Sequence, residues 1–511
     1  MRSLRILFSL SHPGYLRHYE EPIRILVARG HSVHLAFQRD HAKDEGDDRL
    51  LERLVADSGR VTAGVAPRRS GVDGWRPIAW SVRALVDLLR YTAPAYRDAH
   101  GLRRRAAVMI LARLQDERVG GTAHRLATRI VDRVARDRSR SRLRQLLRLA
   151  HAIEDAIPPS KRTTGMLSSL RPDIVLASPV VDFGSPQVEF VKSAQRLRIP
   201  CAVCVASWDN LTNKGLLRVV PDRVLVWNEQ QRQELAELHA VPEERVVVTG
   251  GQKFDPWFDL EPTTARQDFA RAVGLDPERQ YLLYVCSSRF IAPDEVPAIR
   301  RWIAAVRGGP AELRELGILV RPHPQNAEQW ATADLSEWQN VAVWPRHGAQ
   351  PDDDETRAAF FDSIHHSSGV VGINTSAQIE AGIIGRPVYT ILSPEFASAQ
   401  EGTLHFQYLR HENGGFVHEA TDLGAHLVQL GRGIAHPEAD RLRIGAFVES
   451  FVRPRGIGEP VAPIVADEIE SLALVDVSGR RAGAARRTLL RLALTPLAGV
   501  LALAALVRRM R

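Results

Sequence analysis

Cysteine is scarce in this chain. There are three in 511 residues, and Cys201, Cys204 and Cys286 are too few and too scattered for a disulfide framework. Cys201 and Cys204 form a C-x-x-C, but inside PCAVCVAS, which has the character of a buried strand where small thiols pack, so redox and metal roles are set aside. No G-x-G-x-x-G follows the opening strand, and a dinucleotide cofactor is therefore not supported. His365 and His366 lack the i, i+4 partner of a helical metal pair. The aspartates of PDDDE, at 351–355, precede a helix whose positive end they suit as caps. No metal and no cofactor are expected. The N-terminal MRSLRILFSLSHPG carries too short an apolar run for a secretory signal and no small-residue cleavage pattern, so the expected location of the body is cytoplasmic.

Acids are missing where arginine is dense. Residues 480–511 hold eight arginines and no acid, which equals the formal +8 of the whole chain. Residues 101–150 hold fourteen arginines against Asp116, Glu117, Asp132 and Asp137, a further +10, so the remainder is net acidic. Neither segment has interleaved aromatics or a groove-reading motif, which argues against a nucleic-acid partner. An anionic membrane surface accounts for both. LALTPLAGVLALAALV, at 492–507, is flanked by Arg486, Arg487 and Arg491 before it and by Arg508, Arg509 and Arg511 after it. It falls short of the roughly 20 residues of a spanning helix, and Pro496 interrupts it. The expectation is peripheral, interfacial insertion at the inner face of the cell membrane, with a tilted span or a helix docked on the body as alternatives. LATRIVDRVARDRSRSRLRQLLRLA has a helical rhythm of arginine and aliphatic residues, a basic amphipathic helix that contacts membrane or shields the core.

What remains reads as two parallel α/β units. The first opens with LRILFSL, a loop SHPGYLRHYE, a helix near 22–29 and the strand SVHLAF; it resumes with DIVLAS, PCAVCVASW, DRVLVWN and RVVVTGG. KFDPWFDLEPTT, with two prolines, is the expected connector. The second runs from YLLYVCSS through LGILVRPHP and VAVWP to FVRPRG. The boundaries are a first domain over 1–255 with a helical insertion at about 80–165, a second over 266–456, and a helix with a basic tail over 457–511. Such domains in tandem would face a central cleft, with ligands at carboxyl strand ends.

GVVGINTSAQIEAGIIGRPVYTI, at 369–391, predicts a strand, a polar turn, a helix from about Ala377, a Gly-Pro stop and a second strand. Asn374, Thr375 and Ser376 sit where that helix leaves its first amides unpaired, an end that suits anions, and Glu380 lies four residues beyond Ser376 on the same face. Upstream, ILVRPHPQN places Arg321 and His323 at another strand's carboxyl end, pinned by prolines. An anionic ligand between these loops is expected. Ser287, Ser288 and Arg289, after the domain's first strand, are further phosphate or turn candidates, and Gln400, Glu401 and His405 form a loop able to close over a ligand.

The succession DRVLVWNEQQRQEL, VVVTGGQKFD, RPHP and NTSAQIEAGIIGRPV resembles the two-Rossmann (GT-B) glycosyltransferases. It looks closest to the bacterial surface-polysaccharide branch that includes CDP-glycerol glycerophosphotransferases and, more distantly, UDP-N-acetylglucosamine 2-epimerases. The specific motifs cover about 171–388. The resemblance implies that the second domain binds a nucleotide-sugar donor, with Arg321 and His323 at phosphate, Thr375 and Ser376 donating to it, and Glu380 on the ribose. It implies no catalytic metal. Related polymer transferases carry a histidine-glycine pair and then a lysine after the strand that here ends in VASWDNLTNKG; Trp208-Asp209 takes the pair's place, and Asn210 and Lys214 follow. Asp209 is the first choice for the base that deprotonates the acceptor, with His12 and His18 as competitors. The expected activity is sugar transfer to a cell-surface polysaccharide or lipid-linked glycan. Polyol-phosphate transfer from a CDP donor, 2-epimerisation of a UDP-sugar and a non-catalytic binding role stay open as alternatives.

Overall fold

The computed structural model describes residues 2–38, 45–116, 128, 129, 133, 140–477 and 484–510. The chain divides into two compact units, one comprising Met1–Lys253 with Gly458–Arg511 and the other Phe254–Ile457.

The first unit is built on seven parallel strands: β1 (Arg5–Leu10), β2 (Ser32–Phe37), β3 (Val61–Val65), β4 (Ile174–Ser178), β5 (Cys201–Cys204), β6 (Arg223–Val226) and β7 (Val246–Val248). Their order in the sheet is β3-β2-β1-β4-β5-β6-β7. Strands such as IVLAS and CAVC are buried at every position because helices cover both faces of the sheet, which is why they show as continuous apolar runs rather than alternating ones. The three cysteines are free and buried. One face packs Ile23 and Leu26 of the Glu20–Ala28 helix together with Val461, Val465 and Ile469 of the Val461–Ser471 helix. Buried Glu470 clamps the two helices by meeting His31 at 2.7 Å and Arg29 at 3.1 Å. Residues beyond 458 therefore complete the core of the first unit.

The second unit holds six parallel strands: β8 (Tyr281–Val285), β9 (Gly317–Arg321), β10 (Val341–Val343), β11 (Gly369–Gly372), β12 (Val388–Ile391) and β13 (Val417–Ala420), in the order β10-β9-β8-β11-β12-β13. Each sheet thus reverses its winding next to its first strand, between β1 and β4 and between β8 and β11. At such a point the loops on the carboxyl side diverge and leave room for a ligand.

The helical insertion begins at Trp75 and is more than a shield. Its first helix, Trp75–Arg90, buries Arg83, Asp87 and Arg90. Arg83 bridges Glu154 of the Arg140–Ala156 helix and Glu189, and Lys192 also reaches Glu154 at 3.0 Å. Burial works against a charge on Glu154, yet Arg83 and Lys192 hold its carboxyl down to about 2. The middle of the proposed basic amphipathic segment, 117–139, lies almost wholly outside the described residues; what flanks it is helical, over His100–Asp116 and Arg140–Ala156.

The tail corrects one expectation. Pro496 does not interrupt it: a single helix runs through Ala484–Met510, 27 residues, because the loss of one backbone bond is small beside the rest of the ladder. Residues 480–483 and Arg511 are outside the described set. The stretch Ala485–Val507 is long and apolar enough to cross a membrane, but its contacts run sideways onto the first unit. Arg491 donates to the Ala156 carbonyl at 2.8 Å, and Ala498 and Leu501 pack with Ile78, Ala79 and Ile157. Only 6% of the apolar window is buried, and Leu492, Val500 and Leu503 are about two-thirds exposed. The close approach depends on Gly74, where a Cβ would overlap the Ala498 carbonyl. In a protein carrying Ala498→Cys, a thiol at this buried position should react slowly with maleimide. Adding Gly74→Val should speed labelling by roughly tenfold or more as the helix lifts, an opening cost of about 1.4 kcal/mol; an unchanged rate would count against the contact.

Candidate functional site

At the carboxyl edge of the first sheet, the loop after β1 folds into a 3-10 turn, Pro13–His18, because Pro13 fixes its first position. Tyr15 sits between His12 and His18, its ring centroid 4.9 and 5.6 Å from theirs. Its hydroxyl meets Lys214 Nζ at 3.2 Å, and Lys214 pairs with Asp182 at 3.0 Å. Ser11 Oγ donates to the other oxygen of Asp182. Burial opposes the charge on Lys214, but Asp182, Tyr15 and Asp209 outweigh it and hold its pKa above the ordinary lysine range. His18 moves the other way: burial first, then Arg17, Lys253, Lys214 and His12 push it well below its usual value, leaving a neutral imidazole whose Nδ1 is buried and finds no partner among the described residues. Asp209 occupies the N-cap position of the Asn210–Asn213 turn, yet its carboxylate does not cap. It accepts instead from Asn213 Nδ2 at 2.7 Å and Asn210 Nδ2 at 3.3 Å.

This edge is held from below by the Trp75–Arg90 helix. Asp87 accepts from the amides of Gly184 and Leu216 and pairs with Arg218. Arg90 donates to the carbonyls of Leu211, Lys214 and Gly215, and Tyr91 OH to that of Lys214. His12, His18, Asp209, Asn210 and Lys214 are therefore brought to one sheet edge, and Tyr15 and Asp182 join them. Sequence reasoning passed over both, although Asp182 follows the strand DIVLAS by only a few residues, a position that marks a ligand-side carboxylate.

At the corresponding edge of the second sheet, Arg321 ends β9 and is buried, with its guanidinium carbon 4.7 Å from the Phe360 ring centre and 5.2 Å from that of Trp344. No hydrogen bond reaches its Nη1 among the described residues. Burial pulls its pKa down to about 9, opposed by Tyr281 and Glu380. It stays cationic at neutral pH, in a place where a cation is costly unless an anion joins it. Glu380 is partly exposed on the Ala377–Ile383 helix, and Ser376 precedes that helix without capping it through its side chain.

Other expected residues hold the loops together. The Thr375 hydroxyl accepts from the Ala377 amide. Buried Asn374 donates to the Ala399 carbonyl at 2.7 Å, and Gln400 donates to the Ile373 carbonyl at 3.1 Å, so the loop after β12 is sewn to the end of β11. His323 Nδ1 accepts from the Gln325 amide at the start of a 3-10 segment. Ser288 makes the turn after β8 by accepting from Ile291 and Ala292. Asp353 forms a capping box with Thr356, as the cap reading of PDDDE expects.

No family model matches the chain, and no curated protein matches it. Solved structures do. UDP-GlcNAc 2-epimerase from Methanocaldococcus jannaschii superposes with a TM-score of 0.50 at 11% identity, covering 91% of this chain and 100% of that one. The glycotransferase of kitacinnamycin gives 0.47 at 16% identity, covering 92% and 100%. An Anabaena protein in complex with UDP and glucose gives 0.44 at 10% identity, covering 92% and 100%. The fold is GT-B-like. Within it, Arg321 ends β9, and Ser376 and Glu380 come after β11, on the carboxyl side of the second sheet.

One buried acid at that edge had no signal in the sequence. Glu295 accepts from the Ser287 amide at 2.8 Å and lies within reach of Tyr284 OH. Burial pushes its carboxyl up to about 8, so the folded protein keeps a proton there that the unfolded chain releases near the ordinary carboxyl value. The stability this proton confers is complete below about pH 4.5 and is lost as pH rises through 8. Glu295→Gln should therefore flatten the decline in urea-unfolding stability between those values. A decline as steep as in the parent protein would remove Glu295 as its source.

Proposed function

We propose that the chain is a nucleotide-sugar-dependent glycosyltransferase that adds a sugar to a lipid-linked or cell-surface glycan. The carrying observation is Arg321, a buried cation that makes no ion pair among the described residues, with Glu380 near enough to act on its charge, on the carboxyl edge of the second sheet where the winding reverses. In this reading Arg321 and Ser376 take the donor diphosphate and Glu380 the ribose hydroxyls. The acceptor hydroxyl loses its proton to Asp209, or to neutral His18, as its oxygen bonds to the sugar's anomeric carbon. The bond from that carbon to the diphosphate breaks, and the departing nucleotide keeps the electron pair, its charge met by Arg321.

Nucleotide-sugar 2-epimerisation is the second reading, favoured by the fold shared with the epimerase at a TM-score of 0.50. Against it stands the exposed apolar helix Ala484–Met510, which a soluble sugar isomerase does not need. We place the protein at the inner face of the cell membrane through this helix, with Arg486 and Arg487 toward anionic lipid.

A thermal-shift panel of UDP, CDP, GDP, CMP and their sugar conjugates identifies the donor, since only a ligand that binds the native state raises its stability. Arg321→Gln should weaken the stabilising nucleotide by about tenfold or more, the worth of a charge-assisted phosphate contact, without lowering the unliganded melting temperature by more than a few degrees. Equal affinity would overturn the phosphate role. Incubation with the donor alone separates the two chemistries: an epimerised sugar supports the second reading, and transfer to a lipid-linked glycan the first. Removing residues 480–511 should release the protein from anionic vesicles while donor binding persists, and a truncated protein that still sediments with them would refute the membrane assignment.

A further inference from the structure

We propose that the C-terminal helix Ala484–Met510 lies flat in one leaflet of an anionic bilayer, held in that plane by the body of the protein, and does not cross the membrane. The helix has two faces. Leu489, Leu492, Val500 and Leu503 are each about two-thirds exposed, Val507 is about half exposed, and Pro496 stands open between them. With about 3.6 residues per turn they project from one stripe roughly 80° wide. The opposite face is seated. Leu494, Ala498, Leu501, Ala502 and Ala505 are partly or wholly covered, Ala498 and Leu501 by the cluster of Ile78, Ala79 and Ile157, and Arg491 donates to the Ala156 carbonyl. The apolar stripe therefore looks away from the protein along the helix, the geometry of a contact with a surface parallel to its axis.

A span would require the helix to give up this seat. The uncharged run 492–507 covers about 24 Å as a helix, short of the roughly 30 Å of a hydrocarbon core, and arginines at 491 and 508 bound it. Lying flat needs no such length, because the stripe sinks only about 5–10 Å into the boundary while the terminal arginines stay among headgroups. Charge selects a bilayer over a second copy of the chain. No acid occurs from 484 to 510, with Arg486 and Arg487 at one end and Arg508 and Arg509 at the other, so two copies would oppose like charges where anionic lipid complements them. The seat also ties the membrane to the acceptor side: the Trp75–Arg90 helix meets the C-terminal helix at Ile78 and Ala79, and about 12 Å further along its axis Asp87 and Arg90 hold the loops of Asp182 and Lys214. A lipid-borne acceptor would reach that edge from the leaflet surface. The flat disposition rests on the membrane location proposed for this helix, and the lipid-borne acceptor on the transferase reading.

The test adds one surface thiol at a time to the full-length protein, as Leu492→Cys, Val500→Cys or Val507→Cys, and labels it with a fluorophore, the native thiols being buried. The labelled proteins bind phosphatidylcholine vesicles doped with phosphatidylglycerol, and nitroxides placed high or low on the acyl chains report depth. All three probes should be quenched alike, and most strongly by the shallow nitroxide, although the outer two lie about 22 Å apart along the axis. The triple variant Leu492→Gln, Val500→Gln, Leu503→Gln should bind these vesicles at least about tenfold more weakly, while Leu474→Gln, a more exposed leucine off the helix, should bind like the parent. A Val500 probe far deeper than its two neighbours would mean a span and overturn the flat disposition, leaving the membrane location standing. Failure to sediment with the vesicles would overturn both, and a triple variant that binds like the parent would overturn the stripe as the lipid contact. These assays contain no nucleotide, so the donor panel is read independently of them.

Discussion

Buried charge on the Trp75–Arg90 helix organises the first unit. Asp87 and Arg90 have no apolar role there. Each is buried, and each is repaid in hydrogen bonds from or to the backbone of the loops after β4 and β5. Removing such a group would leave its partners' amides and carbonyls buried and unpaired, which is costly in a low-dielectric interior. The loops carrying Asp182, Asp209 and Lys214 are thus fixed by a helix that the α/β pattern does not require. The same helix supplies Ile78 and Ala79 to the seat of the C-terminal helix.

Buried cations in this chain fall into paired and unpaired ones. Arg83, Lys192 and Arg218 lie deep in the protein and each meets a carboxylate. Arg321 is equally buried, yet it has two aromatic faces and no ion pair among the described residues. Cation–π contact is worth only about 1–2 kcal/mol, well short of the cost of burying a guanidinium. A bound diphosphate would meet that cost, and this is what makes Arg321 more informative than the many surface arginines.

Much of the fold was legible. Strands such as IVLAS and CAVC announce themselves because a parallel sheet covered on both faces demands unbroken apolar runs, and Gly30 and Gly385 end helices where the chain turns left-handed. The short strands VTAGV and VHEA were not, since most of their residues are polar or small and only their neighbours in the sheet make them strands. At the carboxyl edges of the two sheets, Arg321, Ser376 and Glu380 in one unit and Lys214 in the other could be named from their places at or after strands. Asn374 was legible as polar but not as an anchor, because its partner, the Ala399 carbonyl, is 25 residues away in sequence.

Local sequence, then, determined the two α/β units, the strand-end motifs and the basic apolar tail, because periodicity, caps and charge are properties of neighbouring residues. Tertiary structure alone decided that the tail lies along the first unit instead of standing free, since Gly74 meets Ala498 only once the chain has folded back. It also decided that Tyr15, Asp182 and Lys214 form one cluster, and that Glu295 keeps its proton. Those outcomes depend on burial and on pairs far apart in the chain, and neither is written in any one segment.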